Sequence, residues 1–310
     1  MSGSRSGRQA ESRAILEASR ERGFLCAFGG DYDVWNYDDN LKYAKLKSVD
    51  DVPLEKTVEL TRQFDHIVTH LVIDEPELYK KSEWTRAWLE KIKPYYPYAP
   101  VQMNNTVMGV PSRHGDLKTD ILMLDDYLSN NEGRTVDSVV KHVDEMRAVP
   151  GGKPCWYFIS GDIMSLHYQN LSYAEQTAQS WGCICAGCTG LSWYFDIPRT
   201  EGSYLAMVDV NREVQALAPV ILSEELCGSA TCDQPKSRLR HLTRTRNGAW
   251  YVLSCNIDAK PLDRVTYVLP EDAPRNGTVE VLYENRTLPL KDGAFTDAYA
   301  GHARHLYRIR

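Results

Sequence analysis

The chain has 310 residues, 43% of them hydrophobic and 25% charged, enough for one large α/β domain or two domains with a sizeable core. A formal net charge of −6 argues against the basic field of a nucleic-acid-binding protein, and no run reaches the roughly 18 uninterrupted apolar residues of a membrane span. The opening MSGSRSGRQA has no apolar core, so no signal peptide is read there; the compartment stays open, a secreted or periplasmic full-length form being one reading.

From residue 10, AESRAILEASRERG spaces Ala14, Leu16 and Ala18 among charges, a helix stopped by Gly23. Short apolar runs follow, each ending in a polar lip: GFLCAFGGDYD from 23, HIVTHLVIDEPE from 66, APVQMNN from 99, DILMLDDY from 120, KPCWYFISGD from 153 and TGLSWYFD from 189. Runs without polar alternation suit strands covered on both faces, as in parallel sheets. Helical sequence separates most of them: LEKTVELTRQF, SEWTRAWLEKIKPY, TVDSVVKHVDEMRAV and SYAEQTAQSW. TVMGVPSRHGDLKT, between the third and fourth runs, makes a poor helix and reads as a loop crossover.

Strand, lip and helix in repetition is the pattern of a β/α barrel or of an open doubly wound sheet. A complete TIM-type barrel has eight strands, so six runs leave two readings. One is an incomplete TIM barrel lacking its first two βα units, entered at the second barrel helix. The other is an open six-stranded sheet. An incomplete barrel exposes strand edges and apolar surface, and would depend on a partner or lose stability.

After NREVQALAPVILSEEL the texture changes. AWYVLSCNID, DRVTYVLPEDAP, GTVEVLYENRTLPLKDGAF and HARHLYRIR alternate with period two between Asn-Gly, Asp-Gly and Pro turns, an antiparallel all-β domain. The expected boundary divides a partial β/α barrel, 1–222, from a small β-sandwich, 223–310.

Of the eight cysteines, Cys183, Cys185 and Cys188 in WGCICAGCTG have no nearby His or fourth Cys to close a zinc site. Interleaved with Gly and Ala ahead of a strand, they read as small buried hydrophobes, and no metal is expected. Cys227 and Cys232 in LCGSATC could close a small loop in an exported protein, which spacing alone leaves open. No G-x-G-x-x-G opens a helix after a strand, which disfavours a dehydrogenase, and no cofactor is implied.

The most informative stretch is LVIDEPELY, in which an apolar strand ends on Asp74, Glu75 and Glu77. Pro76 biases the residue before it towards an extended conformation, so Glu75 is expected extended at the strand lip. The acids are either a solvated strand end favourable to the next helix N-terminus, or carboxylates delivered to a site. LMLDDYL brings a second lip, Asp125, Asp126 and Tyr127, readable as a site or as a helix cap. In a barrel the C-terminal strand ends converge, and clustered carboxylates keep one of their number protonated. Asn104, Asn105, Trp156, Tyr157, Trp193, Tyr194 and Asp196 complete such a ring, with alternate residues turned to the core. Asp31, Asp33 and Trp35 are either further candidates or loop residues.

The tail VEVLYENRTLPLKDGAFTDAYAGHARHLYRI resembles the C-terminal β-domain attached to barrel glycoside hydrolases, and QTAQSWGCICAGCTGLSWYF resembles their last helix and strand. The resemblance covers residues 20–310 at the level of architecture. It implies an enzyme acting on O-glycosidic bonds of oligo- or polysaccharides, with carbohydrate as its partner and HLVIDEPE as barrel strand four. The general acid of the largest glycosidase superfamily is a Glu ending that strand, the place of Glu75. The usual second Glu, ending strand seven, is missing from CWYFISGD, which offers Ser160 and Asp162. Asp74-Glu75 is similar to the adjacent pair of substrate-assisted hexosaminidases, where the Asp orients the sugar's acetamido group and the Glu protonates the leaving oxygen. The resemblance therefore implies Glu75 as general acid with Asp74, Asp125 or Asp126 as partner. Asn104, Asn105, Tyr127, Trp156, Trp193, Tyr194, Asp31 and Trp35 are the expected substrate-binding residues. The alternative is a catalytically inactive carbohydrate-binding barrel or fragment.

Overall fold

The computed structural model describes residues 5–29, 32, 34–37, 44–76, 82–106, 119–130, 133–161, 170–194 and 198–310. They belong to two compact units, Met1–Asp125 with Ala148–Pro154, and Asp126–Arg147 with Cys155–Arg310. This partition cuts across the change from α/β to all-β sequence. The loop expected in 107–118, and Asp31, Asp33, Glu77, Asp162 and Asp196, lie outside the described residues.

The first unit opens with helix α1 (Arg5–Glu21) and strand β1 (Cys26–Gly29), followed by the hairpin strands β2 (Trp35–Tyr37) and β3 (Ala44–Leu46). Helix α2 (Glu55–Thr61), β4 (Ile67–Asp74), α3 (Ser82–Ile92), β5 (Val101–Thr106) and β6 (Ile121–Asp125) follow. β1, β4, β5 and β6 pair in that order, all in parallel, as the unalternating apolar runs predict. β4 carries an irregularity between Leu71 and Ile73 against β5. The indole of Trp88, fully buried on α3, donates to the carbonyl of Val72 inside that irregularity at 3.0 Å. One face of the strands packs into an apolar core with Phe28, Ile73, Trp88, Leu89, Val101 and Met103.

The second unit holds α4 (Val136–Arg147), β7 (Cys155–Ser160), α5 (Tyr173–Ala186), β8 (Gly190–Tyr194) and α6 (Glu201–Ile221), with β7 and β8 parallel. α5 starts at a reciprocal cap: Ser172 Oγ accepts the Glu175 amide, and the Glu175 carboxylate accepts the Ser172 amide. It runs through Cys183 and Cys185 to Ala186, further than the sequence suggests. A side chain at Gly182 would come within 2.8 Å of Val140 on α4, so the glycine sets how closely the two helices approach.

Beyond α6 all strands are antiparallel: β9 (Thr231–Cys232), β10 (Leu239–Arg246), β11 (Ala249–Asn256), β12 (Leu262–Val268), β13 (Gly277–Val281), β14 (Arg286–Leu290), β15 (Ala294–Tyr299) and β16 (Arg304–Ile309). They form two sheets, β10-β11-β16-β13-β14 and β15-β12-β9. Asn247 and Gly248, both at positive φ, make the tight turn between β10 and β11. Ser254, Tyr267, Tyr299 and Tyr307 hand hydroxyl hydrogen bonds from one to the next through the core, at 2.5, 2.8 and 2.7 Å. The chain ends on Asp297, 2.9 Å from Tyr307 Oη and held by both terminal nitrogens of Arg286.

All eight cysteines are free thiols, Cys227 and Cys232 included. Cys155, Cys183, Cys185, Cys188 and Cys255 are buried. Burial pushes the Cys155 thiol up to about 11 and those of Cys188 and Cys255 to about 12. No helix among the described residues is long and apolar enough to cross a membrane.

Within the second unit, helices and sheet are tied by an ion pair between the buried Glu213 and the half-buried Arg304. Glu213 on α6 accepts Arg304 Nε of β16 at 2.7 Å, a second Arg304 nitrogen, and the Trp181 indole of α5 at 3.0 Å. Removing Arg304 leaves the buried Glu213 charge uncompensated, so Arg304→Met should cost about 2–3 kcal/mol, less than for a fully buried pair because Arg304 is half-buried. Replacing Glu213 and Arg304 together by apolar residues should cost much less; urea unfolding of both variants measures the difference.

A second prediction concerns His70, at the centre of β4. It is 3% exposed, its Nδ1 lies 2.9 Å from Tyr32 Oη, and its ring stacks on Tyr96 with centroids 3.8 Å apart. Burial pushes its pKa down to about 4. Because the unfolded chain keeps a value of about 6.5, it binds the proton that the fold refuses; stability present above that pH is lost as pH falls towards 4, by roughly 3 kcal/mol. The loss of stability between about pH 7 and pH 4, read from urea midpoints, should be smaller in His70→Gln than in the native chain.

Candidate active site

The site grows out of the pleat of the first unit. Residues level with one another in neighbouring strands share a face, and alternate residues change face. Asp74 is level with Asn104, and Asn104 with Met123, while Thr106 is level with Asp125. Asp74, Gln102, Asn104, Thr106 and Asp125 therefore lie on one face of β4, β5 and β6. Met103 and Asn105 lie on the other. Of the expected residues the structure thus brings Asp74, Asn104 and Asp125 together and sets Asn105 apart. Asn105 is fully buried, and its amide donates to the carbonyls of Met103 and Met123 at 3.2 and 3.0 Å.

Asn104 Nδ2 donates to Asp74 Oδ1 at 2.8 Å. Asp74 as a residue retains solvent access at the strand end. Burial of its carboxyl nonetheless raises the pKa above the usual carboxylate range, opposed by the Asn104 hydrogen bond. Asp125, at the end of β6, is buried.

Glu75 corrects the expectation of an extended residue before proline. Its φ is +44°, in the left-handed region, and its amide donates to the Asn104 carbonyl at 3.0 Å. The proline rule disfavours the right-handed helical region for Glu75 and leaves other conformations to compete. Here a main-chain hydrogen bond from the next strand accompanies the left-handed one. By alternation alone the residue after Asp74 would face the apolar core; the turn takes Glu75, which is half-buried, out of the strand's alternation.

In the second unit Asp126 is engaged by Arg134, and His142 Nε2 lies 3.2 Å from its other oxygen. Tyr127 stacks on Tyr194 with centroids 4.9 Å apart, and Tyr194 keeps 36% of its surface exposed. Trp193 Nε1 donates to Asn211 on α6 at 3.1 Å. Trp156 is level with Gly190, and a side chain at that glycine would meet the indole at 2.6 Å, so the ring lies over bare backbone. Tyr157 is buried, with its hydroxyl 3.3 Å from the Asp126 carbonyl. Trp35, in the first unit, is half-buried against the core. Among the described residues no three His, Cys, Asp or Glu side chains are grouped to hold a metal.

Sequence reasoning missed Gln102, 2% exposed on the face of Asn104. Its signal was available: Gln102 and Asn104 stand two apart, alternating with the apolar Val101 and Met103.

No protein-family model matches the sequence, and no curated protein does. Solved structures match over nearly the whole chain. An α-amylase from Geobacillus thermoleovorans, complexed with acarbose, has a TM-score of 0.64 at 9% identity, covering 97% of this chain and 81% of that one. CelM2, a bifunctional glucanase-xylanase from a metagenome library, has 0.59 at 10%, covering 100% and 86%. A GH30 endoxylanase from Clostridium papyrosolvens C71 has 0.58 at 8%, covering 97% and 83%. At these identities the likeness is one of fold: parallel strands with helices, joined to antiparallel sheets, as in these glycoside hydrolases.

The left-handed backbone at Glu75 generates a prediction of its own. A non-glycine residue there costs about 1–2 kcal/mol that glycine avoids. Glu75→Gly should therefore leave the fold as stable as the native chain or more so, by up to ~1 kcal/mol, whereas Glu75→Val should destabilise it; chemical denaturation of the two variants tests the order.

Proposed function

We propose that the chain is a glycoside hydrolase acting on O-glycosidic bonds of oligo- or polysaccharides, built on an incomplete barrel. Glu75 serves as general acid. The observation that carries the reading is the strained left-handed Glu75 beside Asp74, at the C-terminal end of a parallel strand, with Asp125 on the same face as Asp74. Backbone strain kept at a strand end needs compensation from its surroundings, and such strain clusters at functional sites.

In this reading Glu75 protonates the leaving glycosidic oxygen. Asp74 or Asp125 supplies the second carboxylate. β4 and β6 are separated by two strand spacings, each about 4.8 Å. With a whole strand between them, a partner on β6 stands further from Glu75 than the close pair of a retaining enzyme, which suits an inverting mechanism with a water between the carboxylates. If Asp74 is the partner, the sugar's own acetamido oxygen attacks, Asp74 orients that group, and activity is confined to N-acetylated sugars.

The test is leaving-group dependence. On natural glycosides Glu75→Gln should lose about 10²–10⁴-fold in turnover, the usual contribution of general acid catalysis. On an activated aryl glycoside, whose leaving group needs little protonation, the loss should be far smaller. Equal turnover of Glu75→Gln and the native chain on natural glycosides would remove Glu75 from the role.

A further inference from the structure

We propose that Asn104 is a positioning residue of this site, holding the Asp74 carboxylate and the Glu75 backbone together from the neighbouring strand. What the held carboxylates do rests on the glycosidase reading; that Asn104 holds them rests on geometry alone.

Asn104 reaches both acids by different groups. Its side-chain amide donates to Asp74 Oδ1 at 2.8 Å, and its main-chain carbonyl accepts the Glu75 amide at 3.0 Å. The residue is 2% exposed, and its Oδ1 has no hydrogen-bond partner among the described residues. Of its buried side-chain groups, then, only the donor is spoken for, and by Asp74. A flipped amide would turn its oxygen on the carboxylate. The arrangement commits Asp74 Oδ1 to the protein and leaves Oδ2 as the oxygen to meet a substrate.

An amide suits this place because it donates without charge. A cation would neutralise Asp74, and a second acid would repel it. Among the described residues at the ends of β4, β5 and β6, the acidic groups beside Asp74 are Glu75, next in the chain, and Asp125, two positions further along β6 on the same face. Gln102, Thr106 and Met123 on the flanking strands bring no charge. Asn104 is thus the donor set against burial and like charge, and it holds Asp74 towards its ionised form. Its main-chain bond to Glu75 survives any side-chain change, so the two halves of the clamp can be separated.

The experiment is a ¹³C-carboxyl titration of Asp74 by NMR in the full chain, native and with Asn104→Leu or Asn104→Asp. In Asn104→Leu the proton affinity of Asp74 should rise about tenfold, one pKa unit, as expected when a hydrogen bond to the charged form is lost. In Asn104→Asp the site should titrate in two coupled steps. An unchanged Asp74 midpoint in folded Asn104→Leu, or an unsplit titration in Asn104→Asp, would overturn the proposal. Where a variant does not fold, the native protein still decides: the Asn104 side-chain amide resonances must move with the Asp74 midpoint, and a flat response across that range overturns the clamp. None of these readouts needs turnover, so failure of the glycosidase reading would show separately, in the Glu75→Gln assays.

Discussion

β5 is paired in parallel on both sides, and that double pairing fixes which chemistry faces which way in the first unit. With a neighbour on each edge the strand cannot slip by one residue without turning Gln102, Asn104 and Thr106 into the apolar core. Burying those polar side chains without partners would cost about 1–3 kcal/mol each. The same register leaves Val101 and Met103 among Phe28, Ile73 and Trp88. Register and polarity enforce each other, and the acids at the ends of β4 and β6 inherit their positions from that agreement.

A related constraint shapes the antiparallel part. Tyr267, Tyr299 and Tyr307 are too large to leave the core and too polar to enter it unpartnered. Their hydroxyls settle the matter by bonding one another, ending on Asp297 and Arg286. Glu213 and Arg304 solve the same problem where helices meet sheet. In both places buried polar groups come in complete sets, which is what allows them to be buried.

The sequence was most legible where structure is local. Unbroken apolar runs identified β1 and β4 to β8, spacing found the helices between them, and Asn247-Gly248 announced its hairpin turn. It was least legible where a distant residue decides. Pro76 suggested an extended Glu75, but the amide of Glu75 answers to Asn104, far along the chain. Alternation says that Asn104 and Asn105 face opposite ways; only pairing with β4 says which one meets Asp74. Nothing near Asp126 foretold Arg134 as its partner, because no periodic pattern relates the two positions. Trp156 carries no mark distinguishing a ring over a glycine from one open to a sugar. The division into two units was illegible for the same reason, since each is assembled from separated segments of chain.

The irregularity in β4 decides what an edit of that strand would do. Leu71 and Asp74 are an odd number of residues apart, yet each is level with a residue on the same face of β5, Gln102 and Asn104. The strand has gained one half-period of phase between them, with Trp88 anchoring the Val72 carbonyl within the shift. Downstream of that point the pleat is read in the opposite frame. Ironing the irregularity out with every residue kept would pair Ile73 with Asn104 and Asp74 with Asn105, sending Asp74 to the apolar side, whereas deleting Val72 would regularise the ladder and leave Asp74 level with Asn104.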